Sequence, residues 1–335
     1  MAPPSEPLVE QPDLRPGLVR RTSSLDAVLV DDVTLRLTGS GRDADVDDEG
    51  SVAVAGHASV EADVHVAGRT VAAIRAAADG RPIDVAPMMG TTLGGGFRRA
   101  LSDRVHVEAG SLAALLLDEL PGGGIIAGVA LIEAGIARTD PRYRGRVPLD
   151  VCAGWAEGGT MATAVRNGGN AYRGRGPTAT PPELACGDGW HDAPPLTAGA
   201  VRRRRRIDVH RETGGDIRVD AWFRDAYAEP AGAERVIHEY HLLATVEPHG
   251  LTVTDIVALP LVLPAEECPT AAASATRLLG QPLVAVRDRV RASFTGPSTC
   301  THLNDALRAL GDVWALVRQL EAARSPRYSS RNQRL

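Results

Sequence analysis

Side chains able to bind a metal ion or act as nucleophiles gather in the C-terminal third of the chain: His238, His241, Cys268, Cys300 and His302. Three chemistries compete for them. In the first, Cys268, Cys300, His302 and His238 hold a divalent metal, zinc being the natural choice, in a Cys₂His₂ or open three-ligand site. The bound ion would drive hydrolysis or elimination by polarising a carbonyl or activating water. Cys300-Thr301-His302 places two ligands close together, but Cys268 lies far upstream, so the spacing is not that of a zinc finger. In the second, Cys300 or Cys268 is a thiol nucleophile with His302 or His238 as its base. Cys300 opens the last helix and Cys268 precedes Pro269 at an earlier helix start, positions where the helix dipole favours a thiolate. In the third, both cysteines are small buried hydrophobes and the histidines are satisfied by backbone carbonyls. Asp225 and Glu239 are the nearest carboxylates in the strand pattern. Either can orient a histidine, although Asp225 has a counterpart in Asp43 and reads as the partner of an arginine.

Positioning these residues requires a sheet with helices on it. Residues 202–210, 216–228, 235–247 and 251–263 alternate as strands, joined by Glu212-Thr213-Gly214-Gly215 and, in the last hairpin, Pro248-His249-Gly250. Helical spacing follows over 272–279, 284–294 and 301–320, with Ser298 or Thr301 as a cap for the last. Much of this recurs earlier in the chain. Leu25-Asp26 matches Ile207-Asp208 at an offset of 182, as Arg42-Asp43-Ala44 matches Arg224-Asp225-Ala226. His57 faces His238 at 181, and Gly110-Ser111-Leu112 faces Cys300-Thr301-His302 at 190. Ordered matches at a slowly drifting offset point to an internal duplication.

The expected fold class is therefore α+β, two similar antiparallel-sheet-plus-helix units. Residues 1–16 form a flexible N-terminus, 17–149 the first copy, 150–200 an ordered Gly/Pro-rich connector, 201–322 the second copy and 323–335 a disordered tail. Cys152 and His191 of the connector are candidates to complete a site at the junction.

Composition narrows the chemistry. In 335 residues, 44% hydrophobic and 24% charged, all 37 basic side chains are arginine. A chain without lysine has no amine for a Schiff base, a P-loop or a kinase site. A formal net charge of −5 argues against a general nucleic-acid binder. Arg202 to Arg206 run into Ile207-Asp208-Val209 and read as the start of a strand whose arginines form a solvated face or internal ion pairs. The N-terminal residues lack the basic and apolar regions of a secretory signal. With only four dispersed cysteines, a cytoplasmic, reducing location is expected, with no membrane contact. Gly122-Gly123-Gly124 and Gly128 do not fit a dinucleotide fingerprint and read as a turn, so no nucleotide cofactor is expected. Gly94-Gly95-Gly96 reads as a loop before a helix at Phe97.

Cys268 and Cys300-Thr301-His302-Leu303, preceded by His238 and Leu251-Thr252-Val253, resemble a bacterial family catalogued as domain of unknown function 2889. Arg21 to Asp26, Leu115 to Pro121, Asp150 to Trp155 and Arg203 to Asp208 resemble its longer, actinobacterial-type members. The usual Gly-Cys-Thr-His-Leu of shorter members has Thr299 at the glycine position here. No catalytic residue carries over, but the resemblance implies that these Cys and His positions belong to the family's pattern, and that this chain is a covalent pseudodimer of a unit that shorter members use singly.

The expectation is a metal- or thiol-dependent lyase or hydrolase for a small organic substrate. His238, Cys300 and His302 are its catalytic candidates, and His238, Cys268, Cys300 and His302 its metal ligands. The alternative is a non-catalytic protein that encloses a hydrophobic ligand or serves a catabolic or biosynthetic complex.

Overall fold

A computed structural model describes residues 3–136, 148–169 and 176–324. Strands β1 (Leu18–Leu29), β2 (Thr34–Val46), β3 (Val52–His65), β4 (Thr70–Ala78) and β5 (Arg81–Ile83) precede β6 (Val201–Arg211), β7 (Ile217–Ala228), β8 (Glu234–Glu247) and β9 (Thr252–Val262). All nine join one antiparallel sheet in the order β5-β4-β3-β2-β1-β6-β7-β8-β9. The chain starts at the centre, meanders to one edge, returns to the centre at β6 and meanders to the other edge. The two expected units thus share a single sheet, joined where β1 pairs with β6, Ser23 opposite Arg205.

Helix α2 (Leu112–Glu133) lies across β1, β2, β3 and β6 on one face; α1 (Phe97–Arg104) packs on α2, α3 (Thr160–Arg166) belongs to the connector, α4 (Leu283–Ser293) and α5 (Thr301–Ala309) pack together, and α6 (Val313–Arg324) packs on β1 and β6. The opposite face is contacted by the N-terminal segment and by the connector: Arg20 donates to Pro12 O and Gly189 O, and Arg202 to Pro194 O. Strand periodicity follows this layering. Leu242, Ala244 and Val246 of β8 are buried while the residues between them are half-buried, whereas β1 and β6 are covered on both sides and buried almost throughout.

That double cover decides the fate of the arginine run. Arg202 to Arg206 are all at most 2% exposed, so each guanidinium needs a partner to offset its desolvation. Arg203 and Arg205 reach Asp225, Asp305 and Glu119; Arg202, Arg204 and Arg206 reach Asp26, Glu183, Glu234, Asp208 and Asp220. Of the two readings of the run, internal ion pairs are the one realised.

Several features recur at the offset of 182. Arg21 grips Asp43 as Arg203 grips Asp225. Arg20 reaches across to Asp208 as Arg202 reaches across to Asp26. The β2–β3 register shifts at Asp43/Ala44 and the β7–β8 register at Asp225/Ala226. The hairpins to β4 and β9 place Arg69 and Leu251 at φ of 52° and 47°.

Three local readings need correction. Gly122 to Gly128 are not a turn: they lie inside α2, whose N-terminus is capped by Ser111 Oγ accepting from Ala114 N. The glycines permit close packing, since a Cβ on Gly122 would sit 2.3 Å from Arg203 Nη1 and one on Gly123 2.7 Å from Leu25 Cδ2. Among the described residues α2 is the one helix long and apolar enough to cross a membrane, but it is packed as a core helix, with 72% of its apolar window buried. Residues 3–16, expected to be flexible, are tied down: Leu263 N donates to Pro4 O, Leu8 N to Glu239 Oε1 and Arg206 Nε to Gln11 Oε1. The stripe 301–320 is two helices around a 3₁₀ turn at Leu310–Asp312, where Gly311 packs on Arg287 and Asp312 accepts from it. Of the expected tail, residues 325–335 lie outside the described residues, as do 137–147 and 170–175 of the first copy and connector.

Candidate metal centre

Asp225 of β7 and His238 of β8 are directly opposed in the ladder, at the bulge that separates Asp225 from Ala226. A bulge re-aims side chains, and here Asp225 and His238 both turn towards the N-terminus of α5, which brings His302. His238 Nδ1 lies 3.5 Å and His302 Nε2 4.0 Å from Asp225 Oδ2. The two imidazoles stack with centroids 3.6 Å apart at 17°. One donor atom from each of the three residues lies within 4.8 Å of the others, a group able to hold a metal ion. Asp225 is wholly buried, and the side chain of His302, 12% exposed, is the most open member.

Arg203 sets the state of the carboxylate. Its Nε and Nη2 donate to the two Asp225 oxygens at 2.9 and 3.1 Å, while its Nη1 donates to Asp305. Burial alone would raise the Asp225 pKa; Arg203 overcomes this and holds it below the usual carboxylate range. His302 is pushed down to about 3, chiefly by burial and then by the neighbouring His238, so its imidazole is neutral near pH 7. A neutral imidazole is the form that binds metals.

The donor set fits a cation in one further respect. His238 Nδ1 is buried and makes no well-formed hydrogen bond among the described residues, its polar neighbour being Asp225 Oδ2 at 3.5 Å, and a poorly satisfied buried acceptor or donor is costly unless a ligand answers it. Asp225 retains lone pairs, because a carboxylate has about four acceptor sites and Arg203 uses two.

The cysteines stand outside this group. Cys300 is the N-cap residue of α5, in place of the expected Ser298 or Thr301 cap, and its Sγ lies 3.9 Å from His302 Nδ1, across the ring from the nitrogen that faces Asp225. In this rotamer Cys300 cannot share an ion held by Nε2. Burial pushes the Cys300 thiol up to about 11, so it is neutral. Cys268 is buried against the turn at Ala153–Trp155, where a Cβ on Gly154 would stand 2.7 Å from its Sγ. Cys152 of that turn is brought to the start of α5, because Ala153 N donates to Thr299 O at 2.8 Å.

The other candidates lie elsewhere. His191 is on the far face of the sheet, bonded to Thr22 Oγ1 and Ser24 Oγ at 2.9 Å each, so it does not join the site. Glu239 is also on that face, held by Arg224, Trp222 and Leu8, and does not orient His238. His241 pairs with Asp220. Register also corrects the match of His57 to His238: Gly56 stands opposite Asp43, as His238 stands opposite Asp225, whereas His57 faces Arg42. With Leu112 at the position matched to His302, the first half keeps the Arg–Asp pair and neither histidine.

Asp225 is the member that sequence reasoning set aside as structural. The signal was present: counting back from the Pro230–Gly232 turn with one bulged residue places Asp225 against His238. Tyr240 was missed altogether. Its hydroxyl is fully buried, with the Cys300 sulfur as its neighbouring polar group. Two cavities are formed elsewhere, one by Glu10 to Leu14 with Arg20 and Cys186, the other by Pro3 to Ser5 with Val236 and Val262.

Residues 201–316 match a family model described as "Protein of unknown function (DUF2889)". The matched stretch contains Asp225, His238 and His302, together with Cys268 and Cys300. No curated protein and no solved structure matches the chain.

Proposed function

We propose that this protein is a metal-dependent lyase or hydrolase for a small organic substrate, with Asp225, His238 and His302 as ligands of one divalent ion. One observation carries the reading: three donors of the right chemistry converge within 4.8 Å in a buried place where His238 Nδ1 has no other partner. Three protein ligands with open positions are the arrangement of catalytic rather than closed structural zinc sites. When bound, such an ion polarises a carbonyl or lowers the pKa of a water molecule. The chain's own contribution is positional. Arg203 holds the carboxylate charged and oriented, His238 and His302 would each turn out of their stack to direct a ring nitrogen at the ion, and the cover of α5 limits water.

The thiol-nucleophile route is less well supported, because Cys300 is a buried neutral thiol and nucleophilic cysteines sit where the thiolate is favoured. The hydrophobic-ligand alternative calls for roughly 300 Å³ or more of apolar cavity. The apolar cavity beside Val236 and Val262 holds about 80 Å³, and the one at Glu10 to Leu14, about 470 Å³, is lined by Glu10, Gln11, Asp13, Arg20 and Asp188 and is not apolar.

We further read the two halves as copies of one unit that pair across β1 and β6, a covalent pseudodimer. The paired salt bridges, bulges and left-handed turns at the offset of 182 support this. On that reading the Arg–Asp pair is common equipment and the two histidines belong to the second copy alone.

The test is metal analysis and calorimetric titration with zinc. About one ion per chain is expected, lost in folded His238→Ala and His302→Ala and kept in Cys268→Ser. A protein that binds no divalent ion under reducing conditions overturns the proposal.

A further inference from the structure

We propose that Cys300 and Thr301 are positioning residues that select the tautomer of His302, their sulfur and hydroxyl oxygen accepting the Nδ1 proton so that Nε2 is left bare towards Asp225. The inference rests on the metal reading of that triad, and it assigns a role to the Cys-Thr-His triplet that the ligand set leaves unused.

A neutral imidazole carries one proton, and the hydrogen bond made by one ring nitrogen decides which nitrogen is free for a metal. The neighbours of His302 differ sharply between its two ends. Nδ1 has Thr301 Oγ1 at 3.4 Å and Cys300 Sγ at 3.9 Å. Nε2 has the Asp225 oxygen at 4.0 Å and makes no hydrogen bond among the described residues. Cys300 occupies the N-cap of α5, where unpaired backbone N–H groups face outward and favour an acceptor. The sulfur makes no capping hydrogen bond to these N–H groups, so its lone pairs are open to the Nδ1 proton. Without Cys300 and Thr301, the Asp225 carboxylate is the acceptor that His302 faces. That would draw the proton to Nε2 and block the atom that must meet the ion.

Two measurements test this, and they fail independently. In metal-free protein labelled with ¹⁵N-histidine, long-range proton–nitrogen correlation spectra should show His302 protonated at Nδ1. The same protonation is expected in Cys300→Ser, and a shift towards Nε2 in the double variant C300A/T301V. An Nε2-protonated His302 in the unsubstituted protein overturns the proposal, whatever the metal data show. Zinc titration should give an affinity loss of roughly 10- to 100-fold for C300A/T301V, the range for such supporting contacts. Cys300→Ser, which keeps an acceptor, should stay within about threefold. Urea unfolding curves for each variant establish that the fold is intact. Unchanged zinc affinity in the folded double variant also overturns the proposal. A protein that binds no zinc at all instead refutes the metal reading, and the tautomer measurement still decides the role of Cys300 and Thr301.

Discussion

Replacing Asp225 or Asp43 by asparagine separates what the Arg–Asp pair does for the fold from what it does for the site. Asp225 accepts from Arg203 at 2.9 and 3.1 Å, and Asp43 accepts twice from Arg21 at 2.7 Å. Both carboxylates are buried. Asparagine keeps the shape and one acceptor oxygen but removes the charge and one charge-assisted bond. Breaking a buried pair costs about 3–5 kcal/mol when a charge is left alone. Here each arginine keeps another partner, Arg203 through Asp305 at 2.7 Å and Arg21 through Gly110 O at 2.9 Å. The lower end applies, about 3 kcal/mol for either substitution, measured by urea unfolding. Zinc titration of the same two proteins should then diverge: D225N loses the ion and D43N binds it unchanged. A cost below about 1 kcal/mol for D43N alone would refute the equivalence of the two pairs. Equal loss of zinc from both folded variants would refute the assignment of the site to the second half.

Three further predictions rest on single residues. Gly122→Ala should destabilise by about 1–3 kcal/mol by urea unfolding, because its Cβ would meet Arg203 and Asp305 at 2.3 and 2.7 Å. Gly128→Ala, in the same helix with nothing within 4 Å, should stabilise by up to about 1 kcal/mol; matching losses from both would contradict the packing of α2. Burial and nearby arginines hold His191 down at about 4. Its contribution of about 3 kcal/mol is therefore complete above pH 6.5 and is lost as the pH falls from 6.5 to 4, a slope that His191→Gln should flatten. Chelation by EDTA should lower the melting temperature of zinc-loaded protein but leave that of folded His302→Ala unchanged; equal shifts in both would place the ion elsewhere.

The strands were legible where local pattern is strong. Alternation in 235–247 and the glycine at position 250 set β8 and the next hairpin almost to the residue, and the charge of Arg202 to Arg206 did not hide β6. What local pattern cannot encode is the neighbour across a long gap. Nothing in 18–29 or 201–211 announces that these strands pair, yet that pairing turns two units into one sheet and the arginine run into an interior. The glycines at 122–128 misled for a related reason: they are small because Arg203 and Leu25 approach α2, a contact visible only after folding. At the site, the two histidines were found, but cysteines were preferred over Asp225 because residue type was weighed without register. The bulge at Asp225/Ala226 decides which side chains face α5. Both halves carry this bulge at the offset of 182, so the residue matched to His238 is Gly56 and the pairing with His57 was one residue out.

X-ray absorption at the zinc edge of the loaded protein tests the ligand set most directly. Asp225, His238 and His302 predict nitrogen and oxygen scatterers at about 2.0–2.2 Å with imidazole outer shells and no sulfur. A sulfur shell near 2.3 Å would place Cys300 or Cys268 on the metal and contradict the account.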